Sequence, residues 1–376
     1  MKRRLFDAEH QDFRDAFRDF ILTEGVPRNE EWERQGYTSP DFWRRAGELG
    51  FLGFQAPEEY GGLGIRDFRF NAVIDEEVAS CGLATDGFSL HNDIVAPYLT
   101  EYATAEQRER WLPGFVNGEL ITAIAMTEPG AGSDLARIAT TAREEDGHFV
   151  VSGAKTFITN GHMAGLVLVL ARTGDRGMSL LAVERGAPGL TQAAPMHKVG
   201  RRAQDTAEVV LDEVRVPVGN LIGERGGAFA LVKRNLPQER LAIAVTAVAS
   251  AERAFAIGRR YATERETFGR PLHQHQTVLH AFAEMHTELQ FARSHIDRCI
   301  LALNDGELSP EEAAAAKYRA TDLEGEVIDR IVQLHGGYGF MEETPIARMW
   351  RDARVQRIYG GANEIMKEIV GRGVFA

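Results

Sequence analysis

Apolar residues recur every three or four positions through the first third of the chain. Phe13, Phe17 and Phe20 fall on one side of MKRRLFDAEHQDFRDAFRDFI, the spacing of an amphipathic helix. SPDFWRRAGELG, from Ser39 to Gly50, predicts a second helix. Ser39 can cap it, Pro40 suits its first turn, Asp41 complements its dipole and Gly50 ends it. Phe42, Ala46 and Leu49 are its expected inward face. From about residue 120 the period changes. HFVVSG, LVLVLART, MSLLAVER and AEVVLDEVRVP are short, rich in β-branched residues and separated by turn-formers, so they read as strands. They do not alternate with long helical runs, which disfavours a doubly wound parallel sheet. From about residue 226 the helical period returns in NLPQERLAIAVTAVASAERAFAIGRRYATER. After Asn304-Asp305-Gly306 it starts again, with Ser309 and Pro310 in starting positions and two glutamates in the first turn. The pattern predicts an α+β chain in three parts: an N-terminal α-helical domain (1–119), a compact middle β domain (120–225) and a C-terminal α-helical domain (226–376).

Composition narrows the class of function. The 376 residues carry a net charge of −12 and no basic block, so nucleic acid is not an expected partner. Cys81 and Cys299 are too few and too far apart for a disulfide framework or a thiolate zinc site, and they fit a reducing compartment. The first residues are basic but pass at once into an amphipathic helix, unlike a signal peptide. No apolar run is expected to reach the roughly 20 residues that cross a bilayer. These features lead us to expect a cytoplasmic protein with no membrane partner. His91 and His335 lack metal-ligand spacing and are expected to pack or hydrogen-bond, and no metal is expected.

AMTEPGAGSD, residues 125–134, is the densest chemical signal. Gly130 and Gly132 permit close approach to the backbone, and Thr127 and Ser133 add hydroxyls that can bond a carbonyl or phosphate. It is neither a dinucleotide fingerprint nor a P-loop. The whole string resembles the signature of the acyl-CoA dehydrogenase family, flavoenzymes that desaturate acyl thioesters. GAKTFITNG (153–161), RETFG (265–269), HQ (275–276) and QLHGGYGF (333–340) resemble further segments of that family, in the same order. The resemblance implies a middle β-barrel or sandwich and a C-terminal four-helix bundle. It also implies FAD as cofactor, an acyl-CoA substrate, an electron-transfer flavoprotein as acceptor, and a homotetramer built as a dimer of dimers. Position by position, it puts Met126, Thr127, Gly132, Ser133, Phe157, Ile158 and Thr159 at the flavin, with Ser133 near the cofactor or the CoA moiety. Many members have tryptophan where this chain has Phe157. Arg265, Thr267, Phe268, Gln276, Gln333, Gly336 and Gly337 would contact the FAD of a neighbouring subunit or its adenosine end.

RIYGGANEIMKEIV, residues 357–370, departs from the commonest family pattern. Many members carry the catalytic glutamate at the position of Gly360. A branch that includes isovaleryl- and long-chain acyl-CoA dehydrogenases carries it on the long helix instead, where Glu239 stands in NLPQERLAIA. LPQERL and IYGGxNEIMKE resemble the long-chain subgroup in particular. The resemblance therefore implies Glu239 as the base and the Gly360 backbone N–H as a donor to the thioester oxygen. Arg240, Tyr359 and Gly361 would face substrate, and Ala362 and Glu364 would lie near the cofactor. Competing expectations are an oxygen-using oxidase or flavin N-hydroxylase relative, a dehydrogenase acting on an acyl carrier protein, and a scaffold without activity. The acyl chain itself is left open.

Overall fold

The structure is a computed structural model that describes residues 3–174 and 177–375. The N-terminal helices are α1 (Ala8–Phe20), α2 (Asn29–Gln35), α3 (Pro40–Glu48), α4 (Phe68–Cys81), α5 (Gly87–Ser89) and α6 (Ala105–Val116). The path from α5 to α6 runs through two π-helical segments, Leu90–Val95 and Tyr98–Tyr102. Phe17, Phe20, Trp32, Phe42, Trp43, Phe51, Phe54 and Phe88 build an aromatic core beneath these helices. Leu49 is not in it. The helix ends at Glu48 with Leu49 as its cap, and the side chain of Leu49 is 40% exposed. Trp43 takes the inward place, held by its indole N–H donating to Thr38 Oγ1 at 2.8 Å. Ser39 precedes the helix as expected, yet its hydroxyl makes no cap bond and is buried without a partner.

The middle strands are β1 (Thr122–Ala125), β2 (Thr141–Glu145), β3 (His148–Thr159), β4 (Leu166–Arg172), β5 (Met178–Glu184), β6 (Leu190–Gln192), β7 (Thr206–Pro217) and β8 (Leu221–Ile222). They form one eight-stranded sheet in the order β6-β7-β3-β2-β4-β5-β8, with β1 alongside β4. Pairing is antiparallel except that β4 runs parallel to β1 and meets β2 at one parallel pair. Strand periodicity sorts β4 and β5 between two cores. Leu166, Leu168, Leu170, Leu180 and Ala182 face the helices before the sheet, and Val167, Val169, Ala171, Leu181 and Val183 face the opposite core.

The C-terminal part is led by α7 (Ala228–Glu264), then a short hairpin of β9 (Glu266–Thr267) and β10 (Arg270–Pro271). It continues with α8 (Gln276–Asn304), α9 (Pro310–His335), α10 (Pro345–Ala353) and α11 (Asn363–Val374). Ser309 closes a capping box with Glu312, so the predicted start of α9 is the observed one. Helix α7 corrects one expectation: it contains an apolar window long enough to cross a membrane. Packing explains that window, 61% of which is buried inside the protein against α4, α8 and α9. An alanine-rich stripe lets those helices approach closely; Ala242, Ala244, Ala247 and Ala251 have no exposed surface.

Candidate active site

Two separated sets of the predicted residues emerge. The first lies where α7, the sheet and the start of α11 meet. The segment after β1 makes a tight turn, with Glu128 N donating to Ala131 O (2.9 Å) and Ala131 N to Glu128 O (3.1 Å). Its anchor is a buried ion pair, Lys155 Nζ to Glu128 Oε1 at 2.8 Å. Glu128 also accepts from the Ala139 and Thr140 amides and from Thr140 Oγ1, which hold its carboxyl down to about 2 despite burial. Lys155 donates in addition to Met126 O, and the Thr156 amide donates to Thr127 O. The loop and β3 are thus tied together by groups that the sequence reading did not single out. A lysine facing inward on a strand of otherwise apolar inward positions was the available signal.

On that frame Gly130, Gly132 and Ser133 are exposed, and a Cβ built on either glycine meets nothing within 4 Å. Met126 and Thr127 are half-buried. Between Lys155 and Ile158 the pairing of β3 with β7 shifts register, and Phe157 sits there at φ +59° with its ring 67% exposed. A bulge re-aims a side chain in this way. Ile158 goes the other way: its side chain is buried in the sheet core, so only its backbone is available to a cofactor. Thr159 is half-buried at the end of the strand. An open glycine loop beside an exposed aromatic ring fits a flat, phosphate-bearing cofactor.

Glu239 projects from α7 two residues after Pro237, whose ring removes a backbone donor inside the helix. Its Oε1 lies 3.8 Å from the point where a Cβ on Gly360 would stand, and Ile243 Cδ1 lies 2.3 Å from that point. Gly360 and Gly361 adopt φ of +61° and +97°, backbone that favours glycine. Among the described residues neither glycine N–H donates a hydrogen bond. Burial raises the Glu239 carboxyl above its ordinary range, opposed by the charges of Arg240 and Lys317. Lys317 Nζ donates to Gly361 O (2.8 Å) and Asn363 Oδ1 (2.9 Å), which pins the glycine turn to α9. Burial brings this ammonium down to about 8. Arg240 is buried beside Gly361, with its Nε unpartnered. Tyr359 is half-buried and feels the charges of Asp86, Arg201 and Glu324. Ala362 caps α11, and Glu364 is exposed in its first turn. Tyr98, absent from the sequence reading, also belongs here: burial and the Glu239 charge push its phenol up.

The second set lies at the far end of α7, about 39 Å along the helix axis from Glu239. Arg265, Thr267, Gly336 and Gly337 line a surface hollow of about 580 Å³ with Tyr261 and His335. Gln333 opens onto a neighbouring hollow of about 320 Å³. Gln276 is exposed and Phe268 is 98% exposed; neither lines the first hollow. One chain therefore does not bring the two sets together. The histidines pack as expected. His91 stacks on Phe115 with ring centroids 3.7 Å apart, and burial lowers it to about 3, so it is neutral. His335 stacks on Tyr261 and bonds Ile331 O at 2.7 Å.

Comparison with known proteins places the chain among relatives along its whole length. The N-terminal, middle and C-terminal domain descriptions of acyl-CoA dehydrogenase match residues 7–119, 123–214 and 226–375. The long-chain specific acyl-CoA dehydrogenase of Rattus norvegicus mitochondria is 43% identical over 378 residues, covering 99% of this chain and 88% of that protein. The crystal structure of an acyl-CoA dehydrogenase from Geobacillus kaustophilus superposes with a TM-score of 0.97 at 45% identity over the whole of both chains. An acyl-CoA dehydrogenase from Bacillus anthracis complexed with FAD superposes at 0.92 and 32% identity, covering 98% of this chain and 67% of that one. Three domain matches in sequence order, together with full-length identity above two-fifths, place the chain in the acyl-CoA dehydrogenase family, with FAD as its cofactor.

Proposed function

We propose that this acyl-CoA dehydrogenase oxidises the Cα–Cβ bond of an acyl thioester to the trans-2-enoyl thioester, with Glu239 as the base. One observation carries the assignment. The Glu239 carboxylate reaches to within 3.8 Å of the place a side chain at position 360 would begin, so an acid on α7 occupies the pocket that an acid at 360 would enter. An α-proton beside a thioester is weakly acidic, and removing it builds charge on the carbonyl oxygen. The Gly360 N–H, free of an internal partner, is the donor for that oxygen; one such donor contributes about 3–4 kcal/mol in a dry site. Lys317 holds the carbonyl of Gly361 and so ties the glycine turn that carries this donor to α9. Arg240 and Lys317 favour the ionised form of Glu239 against desolvation, which keeps the base available. Met126, Thr127, Gly132, Ser133, Phe157 and Thr159, with the backbone of Ile158, would hold the FAD. When bound, the flavin supplies the oxidising group that accepts the β-hydrogen as hydride. An electron-transfer flavoprotein is the proposed acceptor, as in the family. The likeness to a long-chain specific enzyme supports a long acyl chain. The distance between the two residue sets supports a homo-oligomer, in which Arg265, Thr267, Gly336 and Gly337 meet the cofactor of a neighbouring copy.

The test is Glu239→Gln, studied anaerobically. The variant is expected to purify with FAD while bleaching of its flavin by an acyl-CoA slows by several orders of magnitude. Bleaching at the wild-type rate would end the assignment of the base.

A further inference from the structure

Glu239 begins a stripe on one face of α7. Glu239, Ile243, Thr246, Ser250 and Arg253 follow at steps of four, three, four and three, the repeat that keeps residues on one side of a helix. Ile243, Thr246 and Ser250 keep 7–9% of their surface accessible, whereas Leu241, Ala244, Val245 and Val248 between them keep none. From Glu239 to Arg253 the stripe covers about 21 Å of axis. Its far end opens into a hollow of about 370 Å³ between the N-terminal helices and the C-terminal bundle, lined by Ser250, Arg253, Arg201, Glu324 and Arg348 among others. Tyr359, next to Gly360, feels the charges of Arg201 and Glu324 of the same hollow.

Among the described residues one arginine lining the hollow, Arg253, makes no ion pair, although the charge of Asp352 reaches it. Arg201 pairs with Asp86 at 2.9 Å and Arg348 with Glu30 at 3.0 Å. Three of the lining acids are engaged as well: Glu33 with Arg351 at 3.3 Å, Asp352 by the Arg201 amide at 2.6 Å, and Glu324 by Gln356 at 3.0 Å, while Glu343 on the same lining is exposed to solvent. Burial raises Glu324 to about 8, so it is protonated near neutrality and can itself donate. Among the described residues the Arg253 guanidinium makes no hydrogen bond and no ion pair. Gly82 gives it room: a Cβ there would stand 2.3 Å from Arg253 Nη2. An enclosed guanidinium left unpaired is costly, and its planar fork matches a carboxylate.

We propose that this hollow receives the far end of the acyl chain and that this end bears a carboxylate bound by Arg253, which makes the substrate an ω-carboxyacyl thioester. The inference rests on the reading that the thioester lies at Glu239. A methyl end would touch Val26, Leu83, Ala84 and Met349 of the same lining but would leave Arg253 unpaired.

The Glu239→Gln holoenzyme, which does not turn over, allows binding alone to be measured by calorimetry. The ligands are CoA thioesters of five to sixteen carbons, each as a methyl-ended and an ω-carboxylated pair. The carboxylated member is expected to bind at least tenfold tighter at the chain length that spans the stripe. Adding Arg253→Gln should abolish that preference, and Arg253→Lys should restore part of it. Equal or weaker binding of the carboxylated member at every length overturns the proposal, as does a preference that survives Arg253→Gln. Butyryl-CoA, too short to reach Arg253, reports the thioester end alone. Its binding with a flat ratio elsewhere overturns this inference only, whereas its failure to bind overturns the reading of the Glu239 pocket and this inference with it.

Discussion

Glu239 shows how much a residue's neighbours decide. On its own it is one glutamate among many on a long helix. Beside two glycines that lack side chains, it becomes the acid with access to their pocket. Because burial holds its carboxyl above the ordinary range, the ionised carboxylate predominates only above that raised value. The rate of flavin bleaching should therefore fall on acidification at a higher pH than an ordinary carboxylate would give, and Glu239→Gln should remove that limb. Stopped-flow traces across pH would reveal both. Asp75 and Asp93 are a second buried pair whose environment matters. Each leaves one carboxyl oxygen without a partner, and Asn71 Nδ2 donates to Asp93 Oδ1 at 2.5 Å. Burial raises both, Asp75 further because Asp93 faces it, and Asp93 to about 6. A folded value above the unfolded one means that the folded state holds the proton more tightly. The stability gained is complete below the ordinary value of 3.8 and is lost as pH rises through about 6. Thermal unfolding of Asp93→Asn should lose part of the decline in Tm between these limits; a slope identical to wild type would show that Asp93 does not titrate over this range.

The glycine turn, α7 and α11 act together as elements. Gly360 stands at φ +61° with Ile243 Cδ1 where its Cβ would be. Alanine at 360 should cost about 1–2 kcal/mol from the left-handed backbone alone, with a further cost for moving Ile243. Urea unfolding of Gly360→Ala would measure it, and no loss of stability would mean that the turn is softer than its geometry implies. For the same reason a glutamate placed at 360 cannot simply take over from Glu239: it would first have to displace Ile243. The π-helical turns at Leu90–Val95 and Tyr98–Tyr102 lie along this part of α7, with Gln238 Nε2 donating to Asp93 O at 2.7 Å and Tyr98 facing Glu239. Such turns often accompany functional sites, and here they set the wall opposite Glu239.

Across the whole molecule the length of α7 separates the two groups of residues that the proposed shared FAD site would bring together. The far group is surrounded by apolar surface that one chain leaves uncovered: Phe268 is 98% exposed, Phe340 80% and Tyr338 64%. A patch of that kind marks an interaction surface. Phe268→Asp is expected to shift the protein to a smaller species in analytical ultracentrifugation at micromolar concentration and to lower its retained flavin. An unchanged mass and flavin content would remove the support for a shared cofactor site.

The order of α, β and α parts was legible in the sequence because side-chain period follows backbone geometry and needs no distant partner. The glycine loop, the capped start of α9 and the exchange of an acid at 360 for one at 239 were legible as well, since residue type and motif order carry them. Tertiary structure decided the rest. Leu49 lost its place in the core to Trp43 because the helix stops one residue short of it, and Ile158 turned inward because of a bulge. The partners of Glu128, Lys317 and Arg253 lie on other elements, and a long-range contact leaves no period in the chain. Whether Glu239 meets Gly360 depended on how α7 packs against the turn before α11, a matter of shape and burial that local composition does not encode.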